Sequence, residues 1–229
     1  MTIEEKLKDI SIGIADADEF GEPINERLAV KVLNLYAGIG GNRKLWTDVD
    51  VTAVEMNQDI AAIYQDFFPN DKVIVADAHQ YLLEHFKEFD FIWSSPPCPT
   101  HSRINTVFTK GNATNPVTYP DMKLYQEIIL LAHHFNGKYC VENVISYYAP
   151  LIRPQEIAAH YFWTNFWVKP LKTKSREHWG GIDKLQELKG FDIKKYTGID
   201  KTKVLRNCVV PELGLHIFNS MNNQELKLF

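Results

Sequence analysis

The sequence predicts an α/β fold with a mostly parallel sheet and helices on both faces. Short apolar runs rich in β-branched residues alternate with longer helical patterns along the chain, which is typical of repeated βαβ units. The first run ends in the glycine turn Gly38-Ile39-Gly40-Gly41, a suitable connection after a strand. Acidic or reactive residues follow several later runs, and parallel sheets bind ligands at the edge where their strands end. These observations predict a site at one edge of the sheet.

Composition and charge fit one compact domain. The 229 residues are 45% hydrophobic and 24% charged, which is enough for one sizeable core. The formal net charge of −4 excludes a global basic field for nucleic acid and leaves a local basic patch open. The 3 cysteines form no CxxC pair, so we predict no disulfide framework, no metal site and a reducing cytoplasm, bacterial or that of a phage host. The lack of a long apolar run predicts no membrane association.

β-branched and aromatic residues mark the predicted strands, and apolar residues at helical spacing mark the predicted helices. The predicted strands are Val30 to Tyr36, Val51 to Val54, Val73 to Ala76, Phe89 to Trp93, Lys138 to Val141 and His160 to Val168. The predicted helices are Thr2 to Ile10, Gln58 to Phe68, His79 to Phe86, Met122 to Phe135, a start at Asn42 to Trp46 and a last one before Phe218. The polar segment Asn105 to Tyr119, punctuated by glycine and proline, is expected to be a lid or substrate-contacting loop.

Acidic residues end the second and third predicted strands, at Glu55 and Asp77. On the residues alone, the glycine turn is equally consistent with an ordinary tight turn, because the GxGxxG spacing is not met. Glu55 is likewise consistent with a solvated strand end. Together they favour a nucleoside cofactor, since a carboxylate after the second strand can bind ribose hydroxyls. Asp77 is expected to face the same crevice.

The stretch from Ser94 to Arg103 holds the predicted nucleophile, Cys98. The flanking prolines stiffen this loop and are unfavourable in a buried strand. The alternative for Cys98 is a small apolar filler of the core. Its polar and cationic neighbours, including Arg103, are expected to lower the pKa of the thiol and favour the thiolate. Glu142, at the end of the fifth predicted strand, is expected to share the crevice with Cys98.

Four short motifs occur in a characteristic order: Leu33 to Gly41, Ser95 to Cys98 with Ser102, Glu142 to Val144, and Arg206 to Val209. They resemble the first motif, the proline-cysteine loop, the Glu-Asn-Val motif and the C-terminal motif of the cytosine-5 DNA methyltransferases, which use S-adenosylmethionine. The resemblance implies a Rossmann-like S-adenosylmethionine-dependent methyltransferase fold. It also implies four parts: an N-terminal extension (1–28), a catalytic and cofactor-binding core (29–169), a reduced target-recognition region (170–204) and a C-terminal segment returning to the core (205–229).

The same resemblance implies roles for individual residues. Cys98 is the implied nucleophile at carbon 6 of cytosine, and Glu142 is the implied proton donor to the ring. The implied cofactor-binding residues are Tyr36, Ala37, Gly38, Gly40, Gly41, Glu55, Met56, Asp77, Ala78, Pro96, Asn207 and Val209. The implied substrate-binding residues are Ser102, Arg103, Asn143 and His160. Core packing remains an alternative for Met56 and Val209, and a plain strand-edge position for His160.

The chain departs from the family pattern at several positions. Asn34 stands where an aspartate is usual, and Pro99 where a glutamine is common. The family's Gln-x-Arg-x-Arg strand has no match, and the spacing places Glu156 to His160 there, so that His160, Arg153 or Arg103 could substitute. Residues 170–204 contain many lysines and little predicted core. They could contact phosphates or form a solvated connection.

The sequence thus predicts a small cytosine-5 methyltransferase that acts on DNA, with S-adenosylmethionine as its cofactor. A specificity partner or a second copy could complete the small recognition region. One alternative keeps the chemistry and changes the substrate to RNA or a free nucleotide. Another is a catalytically silent subunit that binds nucleic acid, because a fold alone does not establish activity. Restriction-modification and phage DNA modification are both consistent settings.

Overall fold

The computed structural model describes residues 29–103, 119–171, 180–226 and 228–229. Its strands are β1 Val30–Leu35, β2 Val49–Val54, β3 Lys72–Ile74, β4 Phe91–Ser94, β5 Lys138–Val144, β6 Gln155–Ile157 and β7 His160–Thr164. They form one seven-stranded sheet in the order β3-β2-β1-β4-β5-β7-β6. Neighbours from β3 to β5 pair in parallel, and β7 runs antiparallel to β5 and β6. The predicted mostly parallel, Rossmann-like sheet is confirmed.

Six α-helices lie in the part of the chain that the structure describes. They are α1 Gln58–Phe67, α2 Ala78–His85, α3 Lys123–His134, α4 Ile182–Lys189, α5 Lys201–Asn207 and α6 Pro211–Asn219. None of these six is long and apolar enough to cross a bilayer. The predicted helix at Thr2 to Ile10, most of the predicted lid and the basic residues between 172 and 179 lie outside the described residues.

Alternate residues of each central strand pack on opposite faces of the sheet. In β4, Ile92 joins a cluster that contains Leu82 of α2 and Leu131 of α3. Its neighbours Phe91 and Trp93 join a second cluster, with α6, on the other side. Because side chains alternate along a strand, the two clusters must lie on opposite faces. Helices therefore cover both faces, as predicted.

The connection from β1 to β2 differs from the prediction. Asn42 to Trp46 form a turn rather than the start of a helix. Residues 42–48 return the chain to β2 at once, and the amides of Asn34 and Asn42 hydrogen-bond to each other at 2.7 Å. Trp46 stacks on Phe218 of α6, with ring centroids 5.0 Å apart. Helix α6, which comes much later in the sequence, therefore packs where the predicted helix would have begun.

Strand β5 extends further than the sequence suggests. Its pairing with β4 ends where Val141 meets Ser94, but β5 continues to Val144 beside β7. Glu142 pairs with Phe162 of β7, so Glu142 lies inside a strand rather than after one. The chain beyond Ser94 leaves the sheet to form the Cys98 loop next to this buried extension of β5.

The segment from Glu156 to His160 is a hairpin turn between β6 and β7, not the single strand expected from the family spacing. The two residues at its tip, Ala158 and Ala159, have φ angles of 52° and 62°. Left-handed backbone of this kind favours asparagine and glycine, because a β-carbon is crowded there. The hairpin that delivers His160 is therefore strained.

Relief of this strain gives a stability prediction. Ala159→Gly is expected to raise the free energy of unfolding by about 0.5–1 kcal/mol, because the strain removed exceeds the freedom gained by the unfolded chain. Ala62→Gly, at an exposed position of helix α1, is the matched control and is expected to lower it by about 1 kcal/mol. Denaturant titration of the two variants measures both values. A lower midpoint for Ala159→Gly would contradict the assignment of strain.

The described part of the predicted recognition region has more core than its lysine-rich sequence suggests. Leu185 of α4, together with Phe191 and Ile193, is fully buried. These side chains pack with Ile39 of the glycine turn and Ile63 of α1. Residues 180–208 therefore lie against the half of the sheet edge formed by β1 and β2.

Candidate functional site

The glycine turn after β1 contains three glycines with different surroundings. Gly38 has a φ of 55°, and a β-carbon added there would meet no atom within 4 Å. A β-carbon on Gly40 would overlap the rings of Phe68 and Tyr64. One on Gly41 would overlap the C-terminal segment at Cys208 and Val209. Gly38 thus borders open space beside the turn. At Gly40 and Gly41, the space that a β-carbon would fill is occupied by other parts of the protein.

The C-terminal segment therefore contacts the glycine turn, as the resemblance implies. Lys189 of α4 is fully buried and donates a hydrogen bond to the Cys208 carbonyl at 2.5 Å. Burial raises the pKa of the Cys208 thiol to about 11. Val209 is half-buried and packs on the second core cluster, so its side chain contributes to core packing, the alternative considered for it above. Asn207 ends α5 and is exposed.

This contact predicts a large effect for a small substitution. Gly41→Ala is expected to lower the free energy of unfolding by about 1–3 kcal/mol, because the new methyl group must displace the backbone at Val209. Gly181→Ala is the control, since a β-carbon there meets nothing within 4 Å, and it is expected to change stability by less than about 0.5 kcal/mol. Thermal unfolding of both variants makes the comparison. Equal stability of the two would show that the C-terminal segment does not contact the turn.

Glu55 directly follows β2, and its side chain holds the glycine turn in place. Its carboxylate accepts hydrogen bonds from the backbone amides of Gly38 at 3.0 Å and Asn57 at 2.9 Å. Next to it, the side chain of Met56 is 71% exposed, which excludes the core-packing alternative for that residue. The arrangement leaves an apolar side chain and a held carboxylate facing open space.

Asp77 and Ala78 lie at the start of α2. Asp77 accepts a hydrogen bond from the Gln80 amide at 2.9 Å as the helix N-cap, and this bond is the main reason that its pKa is lowered. Ala78 is buried in the first core cluster. Carboxylates after β2 and β3, an open glycine and an exposed methionine fit an adenosyl group, which needs partners for a ribose and an apolar face for a base.

The Cys98 loop is fastened to the segment after β5. Ser102 forms an antiparallel bridge with Ser146, and the Tyr147 amide donates to the His101 carbonyl at 3.1 Å. The Asn143 amide donates to the buried Pro96 carbonyl at 3.0 Å, while its oxygen accepts from Val144. Asn143 was expected to contact substrate. Each end of its side chain bonds to a backbone group, so Asn143 also holds the Cys98 loop in position.

The predicted lowering of the Cys98 pKa is wrong. Burial raises the pKa of this thiol, and the negative charge of Glu142 raises it further. The Arg103 guanidinium does not offset these effects, since its Nε donates to the Ser146 carbonyl at 3.3 Å. The sequence shows that a cation follows the cysteine, but not where the cation points. The resting thiol is therefore more strongly protonated than a free cysteine.

Glu142 lies in β5, next to β4, the strand that leads into the Cys98 loop, and its negative charge acts on the thiol. Glu142 is only 9% exposed. Its carboxylate lies 3.8 Å from His160 Nε2, and His160 Nδ1 lies 3.1 Å from the Ala158 carbonyl. The predicted thiol, carboxyl group and histidine are thus brought together. Among the described residues, no group of three or more His, Cys, Asp or Glu side chains could hold a metal ion.

Sequence reasoning missed two buried polar residues at this edge. Glu127 of α3 is fully buried and accepts hydrogen bonds from the hydroxyls of Tyr36 and Ser94, each at 2.6 Å. A signal was present, because Glu127 interrupts the buried apolar face of α3. His101 is 1% exposed, its Nδ1 lies 2.5 Å from the Tyr148 hydroxyl, and burial lowers its pKa.

Several solved structures are similar to part of this chain. Spodoptera frugiperda DNMT2 is 24% identical with a TM-score of 0.34, over 50% of this chain and 35% of that chain. Thermus thermophilus TrmN is 15% identical with a TM-score of 0.34, over 50% and 33%. Entamoeba histolytica EhMeth is 12% identical with a TM-score of 0.49, over 84% and 97%. The chain spans about a third of the length of the first two, and no functional argument rests on these likenesses.

Comparison with sequences gives a clearer result. No curated protein matches the chain. The profile of the family described as C-5 cytosine-specific DNA methylase matches residues 30–145, which is just over half of the sequence. That match begins at β1 and ends just after β5, so it contains the glycine turn, the Cys98 loop and Glu142. The chain belongs to the C-5 cytosine-specific DNA methylase family.

Proposed function

We propose that this protein transfers a methyl group from S-adenosylmethionine to carbon 5 of cytosine in DNA. The observation that carries the proposal is the convergence of Cys98 and Glu142 from β4 and β5, at the sheet edge that also holds the glycine turn. A thiol and a buried carboxyl group on neighbouring strands suit nucleophilic addition with proton donation. The family match supports cytosine as the target base and DNA as its context.

The chemistry explains why both groups are needed. Carbon 5 of cytosine is a weak nucleophile, so the ring must first be activated. The Cys98 thiolate adds to carbon 6, while a proton from Glu142 goes to the ring nitrogen N3, and carbon 5 becomes electron-rich. The cofactor, when bound, supplies an electrophilic methyl group. A base then removes the proton from carbon 5, and the thiolate leaves by elimination as N3 returns its proton.

The geometry couples the two catalytic groups. An ionised Glu142 raises the pKa of Cys98, which holds the thiol inactive. A protonated Glu142 removes that opposing charge and also carries the proton that cytosine requires. We therefore propose that the nucleophile is activated only when Glu142 is protonated and faces the base. His160, 3.8 Å from the same carboxylate, is in reach to bind it or the target base.

Target contacts are proposed from exposure and charge. Arg103 is exposed at the end of the described Cys98 loop, Arg153 is exposed just before β6, and Ser102 borders the loop. The described part of residues 170–204 packs against α1 through apolar side chains and leaves Lys184, Lys194 and Lys203 exposed. We propose that these lysines contact phosphates together with the basic residues outside the described part: Lys172, Lys174, Arg176 and His178. A stacked base cannot reach Cys98, so a duplex target must be flipped out. Restriction-modification or phage DNA modification would use such an enzyme, with a partner or second copy adding specificity.

The test uses S-adenosylmethionine with a labelled methyl group and three substrates: cytosine-containing DNA, RNA and free cytidine nucleotides. We expect labelled 5-methylcytosine in DNA. Transfer only to RNA or only to free nucleotides would overturn DNA as the substrate and leave the proposed chemistry intact. DNA that contains 5-fluorocytosine blocks the elimination step, so it should trap a covalent adduct. Binding to DNA with neither transfer nor adduct would identify a silent binding subunit instead.

A further inference from the structure

The Glu127 cluster, formed by Glu127, Tyr36, His79 and Ser94, lies outside the catalytic pair. Its carboxylate belongs to α3, and its partners belong to three other elements of the sheet edge. Glu127 Oε1 accepts from the Tyr36 hydroxyl at 2.6 Å and lies 3.0 Å from His79 Nδ1. Glu127 Oε2 accepts from the Ser94 hydroxyl at 2.6 Å. One carboxylate thus connects the end of β1, the first turn of α2 and the end of β4.

A fully buried carboxylate is costly unless it is well hydrogen-bonded. The three partners of Glu127 meet this requirement. The cluster therefore holds a fixed negative charge at this edge of the sheet. The effect reaches the glycine turn through Tyr36, which comes directly after β1 and has a φ of 54°. Burial raises the pKa of Tyr36, and the negative charges of Glu127, Asp77 and Asp121 raise it further. The electrostatic potential around Tyr36 is therefore negative.

Such a field discriminates between the two forms of the proposed cofactor. S-adenosylmethionine carries a positive sulfonium, whereas the product S-adenosylhomocysteine carries a neutral thioether. In a partly buried site, a fixed anion attracts the first and not the second. The rest of the two molecules is nearly identical, so charge is the main property that a rigid pocket can use to tell them apart.

Resting on the proposed function, we propose that Glu127 is a positioning residue of the cofactor site, which holds Tyr36 in place and whose negative charge favours the sulfonium of the substrate over the thioether of the product. Ser94 and His79 keep this carboxylate in its orientation. Because Ser94 precedes the Cys98 loop, the same anion also links the cofactor side of the site to the nucleophile side.

The experiment measures the dissociation constants of S-adenosylmethionine and S-adenosylhomocysteine by calorimetry, without nucleic acid. Glu127→Gln keeps the size of the side chain and removes its charge. We expect it to shift the ratio of the two constants about fivefold toward the product. Ser94→Ala, the matched control, removes one hydrogen bond and keeps the charge, so the ratio is expected to stay within about twofold of wild type. A merely structural role would weaken both ligands equally.

The outcomes separate the two proposals. An unchanged ratio in folded Glu127→Gln would overturn this inference and leave the proposed function intact. Failure of the wild-type protein to bind either ligand would overturn the cofactor assignment, and this inference with it. If Glu127→Gln does not fold, the exposed Asp121→Asn variant tests the same field. A shift of the ratio toward the product there supports the inference, and an unchanged ratio contradicts it.

Discussion

Cys98→Ser should abolish methyl transfer, with a loss of at least about a thousandfold, and should abolish the covalent adduct with 5-fluorocytosine DNA. The serine hydroxyl is slightly smaller than the thiol and is a far poorer nucleophile at neutral pH. The fold should survive, because Cys98 is only partly buried in a loop that Asn143 and Ser146 hold independently. Methyl transfer and adduct formation are measured on the same DNA.

The matched control is Cys140→Ala, which removes a thiol that is fully buried in β5. It is expected to lower stability by about 1–2 kcal/mol, through the small cavity it leaves, and to form the adduct like wild type. Adduct formation by Cys98→Ser, or its loss in folded Cys140→Ala alone, would show that Cys98 is not the nucleophile. Binding of S-adenosylmethionine should be retained in both variants.

Glu142→Gln should lower methyl transfer by about 10²- to 10⁴-fold, because an amide cannot supply the proton that N3 of cytosine requires. The same variant should make Cys98 more reactive toward an alkylating reagent. The negative charge that raises the pKa of the thiol is gone, so the pKa falls and more thiolate exists at any pH below it. At pH 8 the alkylation rate should rise about two- to tenfold.

These opposite changes, in a variant of unchanged stability, distinguish a catalytic role from general damage. A variant with a disturbed loop would also lose methyl transfer and gain alkylation, and the midpoint of its alkylation rate with pH would fall as well, because burial is the main cause of the raised pKa. Such a variant would be recognised by a lower free energy of unfolding than wild type. Glu142→Gln should move that midpoint to lower pH. His160→Gln is the control, since it alters the neighbour of the carboxylate and keeps its charge. An unmoved midpoint in Glu142→Gln would refute the proposed coupling.

The sheet could be predicted because its strands are short apolar runs that end in polar residues, and β1 and β2 lie within two residues of their predicted bounds. The proposed roles of Cys98 and Glu142 rest on motif order, and the structure places the two residues on neighbouring parts of the sheet edge. The strand of Glu142 was drawn too short, since β7 stabilises residues beyond the end of β4. That antiparallel partner leaves no signal in the β5 sequence itself.

Other features depend on contacts between distant parts of the chain. The sequence could not show that the absence of a β-carbon at Gly40 and Gly41 makes room for Phe68 and for the Cys208 segment. The helix expected at Asn42 gave way to a turn because α6 occupies that face. The predicted change in the pKa of Cys98 had the wrong sign. Burial and the Glu142 carboxylate raise this pKa, and the sequence does not show where the Arg103 guanidinium points.

The contact between the glycine turn and the C-terminal segment has a consequence for biosynthesis. The Trp46 indole bonds to the Gly214 carbonyl across 168 positions of sequence, and Gly41 touches Val209 in the same region. A ribosome must therefore add 168 residues after Trp46 before this hydrogen bond can form. Nascent chains would expose the aromatic surface around Trp46 to chaperones during that interval, and the contacts of the glycine turn would be completed only after residues 209–214 have left the ribosome.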